Sequence, residues 1–259
     1  MIDVHSHILP GIDDGPDTLE ETINMLSIAS EEGIKVVAAT HHFLDDKMSV
    51  DSYLKLWKKR MQQVKLTLEK ANIDISIVRG AEVMISPSLP MLEGIERLCI
   101  NGSRYMLIEL PMLNIPLYVE EVIYILRLKG IISIIAHPER NKRIVEDPNL
   151  LYPLVELGAL CQVNTGSITG LYGENVKRCA RILIDHNMAH LLGTDAHSTG
   201  RRSPRFKEAM AVLYKWTSSP VIDRMLHAIP GAVLKNDFIE VESPVFYRKR
   251  RFFSFPRFT

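Results

Sequence analysis

Residues 131–140 read Ile-Ile-Ser-Ile-Ile-Ala-His-Pro-Glu-Arg. Four isoleucines in six positions describe a strand covered on both faces, as strands of a parallel sheet are. The run stops at His137, and Glu139 and Arg140 follow at once. The same device recurs along the chain. Apolar, β-branched runs stand at 2–4, 35–39, 75–78, 105–108, 131–136, 160–163 and 190–193. Between them lie stretches with helical spacing at 17–32, 51–71, 119–128, 149–157, 174–186 and 203–216. Asp17 or Thr18 is placed to cap the first of these, and Gly33 to stop it. Strand alternating with helix predicts an α/β protein with a parallel sheet, either open and doubly wound or closed into a barrel.

The polar residues at the strand ends decide between these two. His5 and His7, then Asp13 and Asp14, follow the first run; His41 and His42 the second; Glu82 the third; Glu109 the fourth; His137 the fifth; Asp195 and His197 the seventh. In an open sheet the outermost strand ends lie too far apart to share a site. In a barrel of parallel strands all C-terminal ends surround one mouth. Six strand ends that each deliver His, Asp or Glu therefore predict a closed barrel, here of seven strands, with the chemistry at that mouth.

One histidine after a strand is usually a core or capping residue, and Asp13-Asp14-Gly15 alone is an ordinary turn. Their joint recurrence points to metal. So many carboxylates and imidazoles in one pocket are costly without cations between them. A donor set of His, Asp and Glu without thiolate suits Mn²⁺, Fe²⁺ or Zn²⁺. His5 and His7, like Asp195 and His197, are two apart in extended chain and project to one side. Arg140 and the pair Arg201-Arg202 lie close to these ligand candidates, and a guanidinium fork matches the oxygens of a phosphate. The reading is a metal-dependent phosphoester hydrolase.

Asp3-Val4-His5-Ser6-His7, Asp13-Asp14-Gly15, Gly80-Ala81-Glu82, His137-Pro138-Glu139-Arg140 and Asp195-Ala196-His197 together resemble the polymerase and histidinol phosphatase (PHP) superfamily. Ser103 through Glu109, and Gln162-Val163-Asn164 with Gly166-Ser167, resemble one branch of it, the bacterial manganese-dependent protein-tyrosine phosphatases of capsule and exopolysaccharide synthesis. The resemblance runs from Met1 to about Asn236. It implies a distorted, TIM-like (β/α)₇ barrel with three metals, most readily Mn²⁺. His5, His7, Glu82 and Asp195 would hold one metal. Glu82, Glu109 and His137 would hold a second, and Asp14, His42 and His197 a third. Arg140 and Arg202 would bind phosphate, with Arg202 preferred over Arg201 on spacing. The implied substrate is a phosphotyrosine protein, notably the tail of a bacterial tyrosine kinase. The family pattern has Pro or Ser where this chain has His41, which either competes with His42 for metal or touches a ligand from behind.

Other classes are excluded or set aside. No Cys-x5-Arg loop follows Cys99, Cys161 or Cys179, so a thiol nucleophile is not expected. The three scattered cysteines, the zero net charge and an N-terminus unlike a signal peptide predict a cytoplasmic protein that does not bind nucleic acid. A small-molecule phosphatase of the histidinol phosphate type and a non-catalytic metal-binding regulator are the alternative functions. The domain reading is a metallophosphatase unit at 1–243 and a tail at 244–259. The tail has five basic residues, no acid and five of the eight phenylalanines, which suits contact with an anionic membrane surface.

Overall fold

A computed structural model describes residues 1–248. Nine strands form it: β1 (Ile2–Ser6), β2 (Val36–Ala39), β3 (His42–Phe43), β4 (Ser76–Arg79), β5 (Glu82–Met84), β6 (Tyr105–Glu109), β7 (Ile132–Ala136), β8 (Leu160–Asn164) and β9 (Leu191–Gly193). They pair in the orders β1-β2-β4 and β3-β5-β6-β7-β8-β9, every pair parallel. β2 with β3, and β4 with β5, are single staves interrupted at residues 40–41 and 80–81. Gly80 N–H donates to Ala39 O (3.2 Å) and Glu82 N–H to Thr40 O (3.1 Å), so the two ladders are continuous across the breaks. The ring closes where Asp195 N–H donates to His5 O and His7 N–H to Ala196 O, both at 2.8 Å. The expected barrel of seven staves is the fold, and sheet closure leaves no edge to protect.

The breaks are built in. A Cβ at Gly80 would stand 2.8 Å from Thr40 Cγ2, so only glycine lets the two interrupted staves approach. The carbonyls at the breaks also accept from the long helix that crosses them. The Tyr53 hydroxyl donates to Gly80 O at 2.8 Å and lies 3.1 Å from His41 O; Trp57 Nε1 donates to Ala39 O at 3.1 Å. Between β1 and β2 the register slips between Asp3 and Ser6, a bulge of the kind that re-aims side chains beside sites.

Ten helices surround the barrel or close its ends: α1 (Leu19–Glu31), α2 (Val50–Ala71), α3 (Val119–Leu128), α4 (Lys142–Glu146), α5 (Tyr152–Glu156), α6 (Thr165–Thr169), α7 (Glu174–Asp185), α8 (Lys207–Leu213), α9 (Ser219–Asp223) and α10 (Ile229–Lys235). Thr18 caps α1, its Oγ1 accepting from Glu21 N–H, and Gly33 follows the end of the helix in the left-handed region. Two expected helices are shorter. The stretch 149–157 begins as a 3₁₀ turn that runs into α5 at Tyr152, and 203–216 contracts to α8. The 3₁₀ turns across 89–102 and the helical run 219–235, whose buried Ile222, Met225, Leu226, Ile229 and Val233 fall at helical spacing, were not expected.

Apolar residues divide into two clusters. The larger lies between staves and outer helices; the smaller fills the barrel below its mouth, where Val4, Ala38, Leu107, Ile134 and Leu191 meet Ile229 and Val233 of α10. Cys99, Cys161 and Cys179 are buried free thiols, as expected. The chain after α10 runs under the N-terminal strand ends. The Tyr105 hydroxyl donates to Asp237 O, Val245 N–H to His186 O and Tyr247 N–H to Asn149 Oδ1. Of the basic, aromatic tail at 244–259, positions 249–259 lie outside the described residues.

Candidate metal centre

Every ligand candidate reaches one cluster at the barrel mouth, buried except at its outer side, where Asp14 is exposed and His42 half-buried. β1 supplies His5, and His7 follows it; Asp14 comes from the loop before α1; β3 and β5 open with His42 and Glu82; β6 ends in Glu109; His137 follows β7; Asp195 and His197 follow β9. Glu82, 1% exposed, is the hub. Its Oε2 is 3.2 Å from His5 Nε2, 3.1 Å from His7 Nε2 and 3.1 Å from His42 Nδ1, while Oε1 is 2.8 Å from His137 Nε2. Glu109 lies 3.7 Å from His42 Nδ1 and 3.8 Å from His137 Nε2. Asp14 Oδ1 is 3.5 Å from His42 Nε2 and 3.3 Å from His197 Nε2. Ligand atoms of His5, His7, Glu82 and Asp195 all lie within 4.8 Å of one another, as do those of His7, Asp14, His42 and His197, and those of His42, Glu82 and Glu109.

The hydrogen bonds fix which imidazole nitrogens face this centre. Asn164 Nδ2 donates to the Asp195 carboxylate (2.8 Å), Gln162 Nε2 donates to Asn164 Oδ1 (2.9 Å), and His5 Nδ1–H therefore donates to Gln162 Oε1 (2.7 Å). Gly193 makes room for this relay, because a Cβ there would stand 2.9 Å from both Gln162 Nε2 and His5 Cβ. His7 Nδ1–H donates to Asp13 Oδ2 (2.7 Å), and His197 Nδ1–H to Asp195 O (2.9 Å). His5 and His7 thus turn their Nε2 atoms toward each other across 3.3 Å, with the Glu82 carboxylate beside both. His197 Nε2 is buried and has no hydrogen-bond partner. Lone pairs and carboxylates facing each other this closely require protons or cations among them, and the donor set fits divalent metals.

His41 is not a competitor for that position. Its Nδ1–H donates to Asp13 Oδ1 (2.8 Å) and its Nε2 accepts from Leu9 N–H (2.9 Å), which uses both nitrogens. Asp13 also accepts from His42 N–H (2.9 Å), so this one carboxylate orients three residues from behind. Sequence reasoning had placed Asp13 in a motif without a role. Its adjacency to Asp14 was the available signal, since consecutive residues of extended chain point to opposite sides and cannot both face inward. Glu139 sits equally deep, accepting from Asn164 N–H (2.9 Å) and the Ser167 hydroxyl (2.6 Å). His137 and Asp195 both adopt left-handed backbone, at φ 32° and 52°, a strain concentrated where the site needs it.

The two arginines meet at Asp195. Arg140 Nη1 donates to Asp195 Oδ2 at 2.6 Å, with its guanidinium 4.4 Å above the Tyr172 ring. Arg202 Nη2 donates to Asp195 Oδ1 at 2.8 Å. Arg201 is exposed and makes no such contact. The mouth therefore presents guanidinium groups above a bed of acidic and imidazole ligands, an arrangement suited to a phosphoryl group.

The electrostatics of the metal-free cluster follow from this crowding. Burial alone would lower the pKa of His7, but the Asp13 and Glu82 carboxylates outweigh it and raise it to about 9. For His42, burial is likewise outweighed by Asp14 and Glu82, which raise it to about 11. Burial and the charge of Glu82 push Glu109 up. A folded-state pKa above the unfolded 6.5 adds stability that is complete below 6.5 and lost as pH rises through the folded value. Chelator-treated protein should therefore lose thermal stability from pH 6.5 through about 9 as His7 deprotonates, with His42 following near 11. Metal displaces those protons, so its binding strengthens over the same range. Melting curves with metal and with chelator should draw apart as pH rises; a constant gap would contradict this assignment.

Comparison with known proteins agrees with the geometry. The family model for capsular polysaccharide synthesis proteins CpsB/CapC matches residues 1–235. Tyrosine-protein phosphatase YwqE of Bacillus subtilis is 35% identical over 261 residues, spanning 98% of this chain and 100% of that protein. The putative tyrosine-protein phosphatase CapC of Staphylococcus aureus is 37% identical over 211 residues, spanning 80% of this chain and 81% of its own. A solved structure from work on YwqE and Streptococcus pneumoniae CpsB, described as unique metal-dependent tyrosine phosphatases, superposes with a TM-score of 0.88 at 33% identity, covering 96% of this chain and 100% of that one. Dihydropyrimidinase of Brevibacillus agri shares the fold alone, with a TM-score of 0.53 at 12% identity over 94% of this chain and 73% of its own.

Proposed function

Because this chain belongs to the CpsB/CapC family of capsular polysaccharide synthesis, we propose that its barrel mouth hydrolyses phosphotyrosine in proteins with the help of bound metal. The observation that carries the reading is the convergence of four histidines on the buried Glu82 carboxylate, with Arg140 and Arg202 above it. His5, His7, Glu82 and Asp195 would hold one metal. Glu82, with Glu109 and His137, would hold a second. Asp14, His42 and His197 would hold a third, with a ring nitrogen of His7 near enough to join them. Manganese is the preferred ion, and Fe²⁺ or Zn²⁺ also suits these donors.

Metal ions at this position supply Lewis acidity toward phosphoryl oxygens and lower the pKa of water. The chain's own residues do the rest. Arg140 and Arg202 bind the phosphoryl oxygens and offset the charge that grows on them during transfer. Their present partner, Asp195, is also held by Asn164, so it stays fixed when the guanidinium groups turn to substrate. Asp13 and Gln162 hold His7 and His5 in one tautomer, which keeps each Nε2 directed at the centre. A tyrosyl leaving group has a conjugate-acid pKa of about 10, so it departs with less proton assistance than an alkoxide.

The substrate proposed is a tyrosine-phosphorylated polypeptide, in the cell the tail of a bacterial tyrosine kinase that governs polysaccharide synthesis. A cytoplasmic location is proposed with it; among the described residues no helix is long and apolar enough to cross a membrane. The basic, aromatic tail at 244–259 is proposed to bring the barrel to the anionic inner membrane surface. The test is hydrolysis of a phosphotyrosine peptide beside a phosphoserine peptide and histidinol phosphate, each with Mn²⁺ and with chelator. Manganese-dependent turnover confined to phosphotyrosine is the expected result. Preference for histidinol phosphate would make this a small-molecule phosphatase, and bound metal without turnover a regulator.

A further inference from the structure

Beside the metal centre, between the end of β8 with α6 and the turn after β9, lies a cavity of about 140 Å³. Thr165 and Tyr172 form one wall, Arg201, Arg202 and Arg205 another, and Glu208 lies at the side. Three guanidinium groups thus face one carboxylate. Two of the three are already engaged, Arg202 with Asp195 (2.8 Å) and Arg205 with Glu32 (3.6 Å). Arg201 is exposed and has no ion-pair partner among the described residues. Arg202 lines the same cavity while its Nη2 is held at the metal centre. Arg202 therefore belongs to both places, with one part at the phosphoryl site and one part on the wall of the adjoining cavity.

An unpaired guanidinium on a small cavity that two further arginines line makes a receptor for a carboxylate. The cavity opens next to the arginines that receive the phosphoryl group, so its occupant travels on the same polypeptide as the phosphotyrosine. We propose that this cavity is a specificity subsite for an acidic side chain, aspartate or glutamate, a few residues from the phosphotyrosine. This proposal rests on the phosphotyrosine-phosphatase reading and adds the sequence context that the enzyme prefers. Arg201 is a specificity residue here. It lies beside the site and contacts the flanking acid.

The full-length, manganese-loaded protein is assayed on peptides with one phosphotyrosine in a neutral sequence, a single glutamate being moved through the three positions on each side. Glutamine takes its place in the control, and lysine in a third set. Glutamate at one or two positions should raise kcat/KM about fivefold over glutamine, the size expected of one partly exposed ion pair, chiefly through KM. The effect should fade in high salt. Because each variant is compared with itself, the ratio of glutamate to glutamine peptide is the readout. R201Q should bring that ratio to one, and R201E should invert it in favour of lysine at the same position. A ratio of one at every position in the unaltered protein, or a preference that survives both substitutions, would overturn the subsite while leaving the phosphatase intact. If no phosphotyrosine peptide is turned over, the phosphatase reading fails and the subsite falls with it.

Discussion

Glu82→Gln should lower phosphotyrosine turnover by about a thousandfold, the loss of several kcal/mol of charge stabilisation, and should reduce bound metal in parallel. The substitution keeps the side chain's shape and removes its charge. In the proposed centre Glu82 would serve two cations at once. Oε1 faces His137, whereas Oε2 faces His5, His7 and His42. An amide offers one neutral oxygen and turns an N–H₂ group toward donors that themselves need a cation, so it can bridge nothing. The measurements are metal content by elemental analysis and kcat on a phosphotyrosine peptide, with a melting curve to establish that the variant is folded. Full metal content with normal turnover would remove Glu82 from the centre and with it the proposal of shared ligands.

Arg140→Ala should reduce kcat by about a hundred- to a thousandfold, as removal of one preorganised donor to a developing oxyanion does, while metal content stays at the level of the unaltered protein. The split between the two readouts is the point of the experiment. Arg140 touches no proposed ligand except Asp195, and Asp195 keeps Arg202 and Asn164 when Arg140 is gone. Arg140→Lys should recover only part of the rate, because an ammonium is a point charge that cannot grip two phosphoryl oxygens or lie flat over Tyr172. Unchanged kcat in Arg140→Ala would exclude this residue from phosphate binding.

Much of the molecule was legible in its sequence, because the informative signals are local. Burial on both faces gives a continuous apolar run such as 131–136, and each such run became a stave. The position of His, Asp and Glu after those runs followed from chain order alone, and closure of the barrel was inferred from how many strand ends carried them. Where the pattern is weak, sequence reading missed structure. The turns at 89–102 bury their apolar residues without a helical period, and the run 219–235 divides its buried residues between the outer cluster and the barrel end, so neither announces itself as one amphipathic element of the strand–helix alternation.

What the sequence by itself determined is therefore the stave pattern, the ligand types and their arrangement around one mouth. The tertiary structure alone decided which atoms face the centre. His41 and His42 are neighbours of identical chemistry, and only the contact of His41 with Asp13, 28 residues away, turns it outward from the cluster. His5 presents Nε2 because Gln162, 157 positions along the chain, takes its Nδ1 proton in a relay anchored on Asp195. Arg202 reaches Asp195 and Arg201 does not, a difference set by the turn after β9. The physical reason is common to all three. Periodicity and propensity act over a few residues, whereas hydrogen-bond direction depends on partners that only the closed barrel brings within 3 Å.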